Sequence, residues 1–302
     1  MAITSGSFAK ALWPGVNKWY GQAYNEHNVE YSDLFDKNTS RKAWEEDMGT
    51  SMFGLAAVKP EGSSILYDTA EQGYLQRYTH VTYGLGFIIT REMVDDDLYD
   101  VIGKKRSQGL AFSMRQTKEV IAADVYNNGF DVTNYPQNDG NAILDTANPT
   151  KNGGTYDNIT SAATLSEASL EDLCVLIMGA TNDRGLNISL IPQTLIVPPA
   201  LVFEADRIVN SPLRVGTVNN DLNSLKNMGK FPGGVKVNHY LTSATAYFIR
   251  TNCPDGCKHF ERRADDFTMD NDFDTDNAKY KATGRYSFGV TDRRGLYGNA
   301  GA

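Results

Sequence analysis

Cysteine is scarce in this chain of 302 residues: Cys174, Cys253 and Cys257 are the whole complement. An odd, small number argues against a disulfide framework and fits a reducing cytoplasm. No apolar run approaches the ~20 residues that span a bilayer. The N-terminus lacks the basic, then apolar, then small-residue order of a signal peptide. Basic charge is outweighed by acid, with a formal net charge of −8, which excludes a chain that clamps nucleic acid over its whole surface. Catalytic signatures are missing as well. GxGxxG, GxSxG and HExxH do not occur, and Gly229, Gly233 and Gly234 lack the GxxxxGK[ST] frame of a phosphate loop. These absences remove the positive reasons to expect an enzyme.

Four clusters come nearest to a site. Cys253, Cys257 and His259 place three soft ligands within seven residues, as Cys-x3-Cys-x-His. Zinc is one reading, but a second ligand pair is missing, and a turn at Pro254-Asp255-Gly256 with two separate thiols is the plainer one. The acid run Asp265, Asp266, Asp270, Asp272, Asp274 and Asp276 resembles a calcium loop. Counted from Asp270, it has Thr275 where that loop needs glycine and Lys281 where it needs glutamate, so it reads as a solvated acidic loop. Lys104-Lys105-Arg106 could touch phosphate, against a default of a solvated face. His80 lies in a strand-forming stretch, where an exposed strand histidine is the plain expectation.

What the sequence does have is a long stretch without proline, Thr90 to Gly129. Fully helical, it would run on the order of 55–60 Å at ~1.5 Å per residue. Acid residues crowd its start, where the helix dipole favours them, and Gly129 follows as a stop. Leu110, Met114, Ile121 and Val125 share one narrow face; Val94, Leu98, Val101 and Ile102 point nearly the other way. The phase change predicts a short acid-rich helix to about Ile102, a break between Gly103 and Gly109, then a spine to Asn128. Arg115, Lys118 and Glu119 give the spine a polar outer surface, more strut than core.

Residues 1–52 carry scattered aromatics (Phe8, Trp13, Trp19, Tyr20, Tyr24, Tyr31, Phe35) with no sustained period. That suits an arm lying on another surface, or more plainly a partly ordered terminus. Sixteen tyrosines also suit interfaces. Residues 53–89 read as an extended hairpin, with a short strand at Ile65-Leu66-Tyr67 and a longer one from Tyr74 to Thr90. Neither face of the longer strand is cleanly apolar, so a neighbouring chain is its expected partner. A small hairpin is expected within Phe130–Thr164. Ser166 caps a helix bearing Leu170, Leu173, Cys174 and Ile177, where Cys174 reads as a buried structural thiol. Thr194–Val197 is a buried strand and Pro198-Pro199 opens a helix with Leu201, Ala205 and Ile208. Strands follow at Val235–Leu241 and Ala246–Arg250, and a strand pair at Asn277–Gly298. The mixture is α+β.

Several short stretches stand in a fixed order: Trp19-Tyr20-Gly21 and Glu30-Tyr31-Ser32-Asp33-Leu34-Phe35 near the start, then Lys59-Pro60-Glu61-Gly62. Phe87 to Met93 with Asp95-Asp96-Asp97-Leu98, Asn127-Asn128-Gly129, Leu195 to Leu201, and Gly284 to Gly289 with Thr291 to Gly298 follow. Taken together and in order, they resemble the tailed-bacteriophage major capsid proteins, of the Mu-like major head subunit type. That family shares the common shell fold of tailed phages and herpesviruses.

The resemblance implies an N-terminal arm over 1–52, an extended loop over 53–89 and a peripheral domain with the spine helix over 90–198. An axial domain over 199–276 and a returning C-terminal strand and tail over 277–302 complete it. It implies a structural subunit without catalytic, cofactor or metal residues. Such subunits form hexamers and pentamers that close an icosahedral shell around double-stranded DNA, held by weak non-specific contact. Assembly would occur in the bacterial host cytoplasm, alongside portal and decoration or minor head proteins. No long charged helix precedes residue 1 to act as a fused scaffold, so a separate scaffolding protein, or a removed one, is expected. A tail tube or sheath protein, or a metal-dependent enzyme around Cys253, Cys257 and His259, are the alternatives. By this reading, deleting 1–52 should leave a folded subunit that cannot make stable shells.

Overall fold

The computed structural model describes residues 8–26, 28–51, 53–70, 72–90, 92–93, 103–133, 137, 139–150, 152–214, 221–271 and 277–302. The spine is helix α3, Lys104–Asn127, 24 residues without interruption and about 36 Å long. It starts directly after Gly103 and passes through Gly109, so the expected break between these two glycines is absent. Glycine in a helix costs only about 1 kcal/mol against alanine, and the packing of the buried face, with Leu110, Ala111 and Met114, outweighs it. The acid-rich helix expected before it lies, from Val94 to Ile102, outside the described residues.

Two other features of the spine differ from expectation. Leu110, Met114 and Val125 are buried as the stripe predicts, but Lys118 and Glu119 are buried too, at 2% and 1% exposure. The helix therefore buries polar residues as well as its apolar stripe, although Phe112, Gln116 and Val120 stay exposed. Part of its cover is the arm. Helix α1, Phe8–Glu26, is followed by the short α2, Tyr31–Leu34. Val16, Tyr20 and Ala23 are buried, with Trp19 and Tyr24 half-buried beside them. That spacing of i, i+3, i+4 and i+7 is a helical stripe, so the arm does have a period, and it is spent on the spine.

Sheet I has the strand order β1-β10-β11-β4. Its strands are β1 (Asp36–Thr39), β4 (Val81–Ile89), β10 (Cys257–Asn271) and β11 (Ala278–Val290). In β11, Ala278, Tyr280, Ala282, Gly284, Tyr286 and Phe288 face inward while Lys279 and Lys281 face water, the alternation visible in the sequence. Its partners were not visible. The two strands expected at 277–298 are present as β11 and β12 (Leu296–Asn299), but they do not pair with each other. Strand β12 joins β9 (Tyr247–Thr251), and β11 is flanked by β10 and β4, with register running from Ala278↔Ile89 to Tyr286↔Val81. Asp265, Asp266 and Asp270 belong to β10, not to a loop; Asp272, Asp274 and Asp276 lie outside the described residues. Acidic residues disfavour strands, but an already ordered partner with a Tyr/Phe/Val inner face overrides that preference.

The tight turn between the sheets depends on glycine. A Cβ on Gly295 would lie 2.5 Å from the Gly256 Cα, closer than any side chain tolerates.

Sheet II has the order β12-β9-β7-β8, from β7 (Pro192–Val197), β8 (Val235–Val237), β9 (Tyr247–Thr251) and β12 (Leu296–Asn299). Helix α4, Glu167–Met178, begins at the Ser166 capping box with Ser169. After a 3-10 turn at Pro199–Leu201 comes α5, Val202–Asn210, and later the one-turn α6, Ser224–Asn227. Leu170, Leu173, Cys174 and Ile177 share one core with Leu195, Val197, Ala205, Ile208, Tyr247, Ile249 and Tyr297. A boundary at 198/199 would cut through that core and the β7–β9 pairing, and one at 276/277 would cut β10 from β11.

The small hairpin expected in Phe130–Thr164 is β5 (Asn148–Pro149) with β6 (Thr155–Tyr156). A second core joins α2, α3 and both sheets through Tyr31, Phe35, Tyr126, Ile196, Phe248, Tyr286 and Phe288.

Candidate assembly surfaces

The feature that least resembles the rest is a projecting hairpin. Strand β2, Trp44–Thr50, pairs antiparallel with β3, Gln72–Thr79, so the hairpin begins before residue 53. Here Gly73 lets the strands meet, since a Cβ on it would fall 2.6 Å from the Gly49 carbonyl oxygen. Beyond the stem, residues 53–70 form no strand, including Ile65-Leu66-Tyr67, against expectation. Leu55 is 83% exposed, Val58 93%, Leu66 79% and Tyr67 94%. Apolar side chains held this far from any core mark an interaction surface. Polar contacts fix the loop's base. Arg184 pairs with Asp68 at 2.7 Å, and Asp68 accepts from the Gly54 amide at 2.8 Å.

The stem is fastened to sheet I. Lys258 Nζ pairs with Asp47, Thr291 Oγ1 donates to Asp47 at 2.9 Å, and Tyr78 and Thr291 share a hydrogen bond at 2.6 Å. His80 marks where β3 becomes β4, so the expected single strand from Tyr74 to Thr90 is two. It is not exposed: only 4% of it meets solvent. Its Nδ1 lies 2.9 Å from Ser287 Oγ and its Nε2 3.1 Å from Ser40 Oγ, and burial holds its pKa down. Strand β4 continues into sheet I beside β11, so on that side its partner lies within the chain.

The second surface is where the arm meets the spine. Tyr20 stacks on Phe267 with centroids 4.4 Å apart. The Tyr24 hydroxyl donates to Asp265, and the Arg115 guanidinium lies 4.2 Å above the Tyr24 ring. Glu119 accepts from the Tyr31 amide at 2.8 Å and the Glu30 amide at 3.1 Å. Burial pushes its pKa up to about 6. Lys118 donates to Glu261 at 2.8 Å, and Lys37 pairs with the same carboxylate at 2.6 Å. Burial opposes its ionisation, but these hydrogen bonds overcome it and hold its pKa at about 2.

These residues were missed in the sequence, yet one signal was present. Lys118 lies four residues after Met114 and seven before Val125, inside the apolar stripe, where a lysine must find a buried partner.

The possible metal ligands are not gathered. Cys253 packs against the core of sheet II and Cys257 against the core shared by both sheets. Tyr126 donates to the Cys257 sulfur at 3.7 Å. His259 is fully buried and stacked on Phe288 at 4.3 Å, and burial lowers its pKa to about 3. Among the described residues no group of three or more His, Cys, Asp or Glu side chains could hold a metal ion. Lys104, Lys105 and Arg106 are exposed in the first turn of α3, with Arg106 donating to the Ile88 carbonyl at 3.0 Å. No described helix is long and apolar enough to cross a membrane.

An arm held against a spine helix, two sheets and an exposed apolar loop are the features to set beside known proteins. Solved structures with a similar fold include chains from several phages. One is a chain of Mycobacterium phage Che8, 12% identical, with a TM-score of 0.53 over 91% of this chain and 93% of that one. Another is from Microbacterium phage Oxtober96, 9% identical, TM-score 0.54, covering 91% and 92%. A third is from the procapsid of bacteriophage JBD30, 13% identical, TM-score 0.53, covering 98% and 76%. No curated protein sequence matches it. The profile of the phage capsid protein family matches residues 74–299, and the chain belongs to that family. It is a structural capsid component of the virion, not an enzyme.

Proposed function

We propose that this chain is the major head subunit of a tailed phage, forming hexamers and pentamers that close an icosahedral shell around double-stranded DNA. One observation carries the reading: the loop over 53–70 holds its apolar side chains away from every core of its own chain. A neighbouring subunit supplies the missing cover. The Mu-like resemblance belongs to this proposal.

The domain assignment follows the pairing of strands. The arm covers residues 1–35 and the extended loop 44–79. The peripheral domain takes α3 with sheet I, and the axial domain takes sheet II with α4 and α5, so that β12 at the C-terminus returns to the axial domain. Assembly occurs in the bacterial host cytoplasm with a scaffolding protein, and portal and decoration or minor head proteins complete the head. Packaged DNA is touched weakly, as a net charge of −8 suits a wall that contains DNA without gripping it.

Electron microscopy of the subunit co-expressed with its scaffold tests the reading. Closed particles or capsomer rings are expected. A protein that stays monomeric under all assembly conditions, or that forms helical tubes, would overturn it.

A further inference from the structure

Strand β4 is an edge of sheet I; among the described residues it has β11 on one side and no strand on the other. Its nine residues, VTYGLGFII, carry no charge and no proline, and its register with β11 is unbroken by any bulge. Natural edge strands are ordinarily protected by charge, proline, a bulge, shortness or a covering element; β4 has none of the first four, and α3 lies beside it across an open groove. Arg106 closes only the far end, at the Ile88 carbonyl. Val81 and Leu85 stand 48% and 51% exposed. Beside the edge a groove of about 310 Å³ runs between β4 and α3, lined by Leu85, Gly86, Phe87, Arg106, Leu110 and Ser113.

The same chain contains a segment with the complementary need. Gly62–Tyr67, GSSILY, is uncharged, belongs to no strand, and exposes Ile65 by 64%, Leu66 by 79% and Tyr67 by 94%. It is poorly placed to serve its own β4. The eight residues of β3, roughly 27 Å at about 3.4 Å each, separate the loop from β4. Arg184 also fixes Asp68 at the loop's base. A second copy has no such constraint.

We propose that Ser63–Tyr67 of one copy adds as a strand to the free edge of β4 in another, seating an apolar side chain in the groove beside Leu85 and Phe87. Main-chain hydrogen bonds hold the added strand and the groove sets its register. The proposal rests on the shell reading above and names the acceptor of the loop.

Two measurements on the full-length protein test it. Leu85→Lys puts a charge on the edge at a half-exposed position. The subunit should keep its melting temperature while particle yield falls at least tenfold. In the second, copies carrying Leu66→Cys are mixed with copies carrying Val81→Cys, Tyr83→Cys or Leu85→Cys, assembled and mildly oxidised. An interchain dimer absent from either single variant is expected for at least one mixture. Normal particle yield from Leu85→Lys, or no interchain dimer in any mixture, would overturn strand addition and leave the shell reading standing. Wild-type subunits that never assemble would sink the shell reading and this pairing with it.

Discussion

Glu119 and Glu261 are both shielded carboxylates near the spine, yet burial wins at one and pairing at the other. Glu261 has two lysines; Glu119 has two backbone amides with the Glu30 carboxylate nearby. The signs of their contributions therefore oppose. Glu261, lowered to about 2, stabilises the fold above its ordinary pKa of 4.5, and this is lost as pH falls toward 2. Glu119, raised to about 6, favours the fold fully below 4.5, and this is lost as pH rises through 6, amounting to about 2 kcal/mol. Glu119→Gln should therefore flatten the change in melting temperature between pH 4.5 and 6.5; an unaltered profile would contradict the assignment. Lys118→Ala leaves Glu261 with only the half-exposed Lys37, and should cost about 3 kcal/mol in chemical denaturation. At this scale the sequence was readable where it repeats, as in the alternation of β11. It was unreadable where one side chain answers another far away: Lys118 and Glu261 are 143 residues apart, and nothing local couples them.

Among elements, the arm and the loop separate cleanly by what they bury. Val16, Tyr20 and Ala23 share a core with Leu110, Met114 and Tyr280, while Tyr31, Leu34 and Phe35 share one with Tyr126 and Phe288. Removing residues 1–52 would open both cores and also delete β1 and β2. The expected product is an aggregating subunit, seen as loss of a cooperative melt, rather than a folded one that fails only in assembly. Replacing Leu55–Leu66 by a short Gly-Ser linker is the cleaner dissection. Those side chains touch no core, so the melting temperature should hold within a few degrees, since exposed loops tolerate such changes, while particles are lost. Helices α4 and α5 were legible from capping and stripe spacing, which are local. The length of β10 was not, because a strand of such acidity forms only against a partner that the sequence places after it.

At the scale of the whole molecule, the order of recognisable pieces identified the shell fold although no single piece is distinctive. The domain limits were less legible. Strands β7 and β9 are 50 residues apart and β12 lies at the C-terminus, so sheet II is closed by segments that local reading assigns to different units. The cores of both sheets interlock through Tyr126, Phe248 and Tyr286, and the subunit should unfold in one transition. Gly295→Ala, which forces apart the backbone contact with Gly256, should lower that single transition rather than split it; calorimetry showing two well-resolved peaks would contradict this.

The passage of chain from β3 through His80 into β4 has a mechanical consequence. Tension applied at the loop is carried along β3 to the start of β4 and drawn lengthwise along it. There, nine residue pairs with β11 resist together. Antiparallel strands pulled along their length share load across all their hydrogen bonds in shear, whereas strands pulled sideways unzip one bond at a time. If a neighbour pulls on the loop, whatever load passes the ties of the stem would meet β4 in shear against β11.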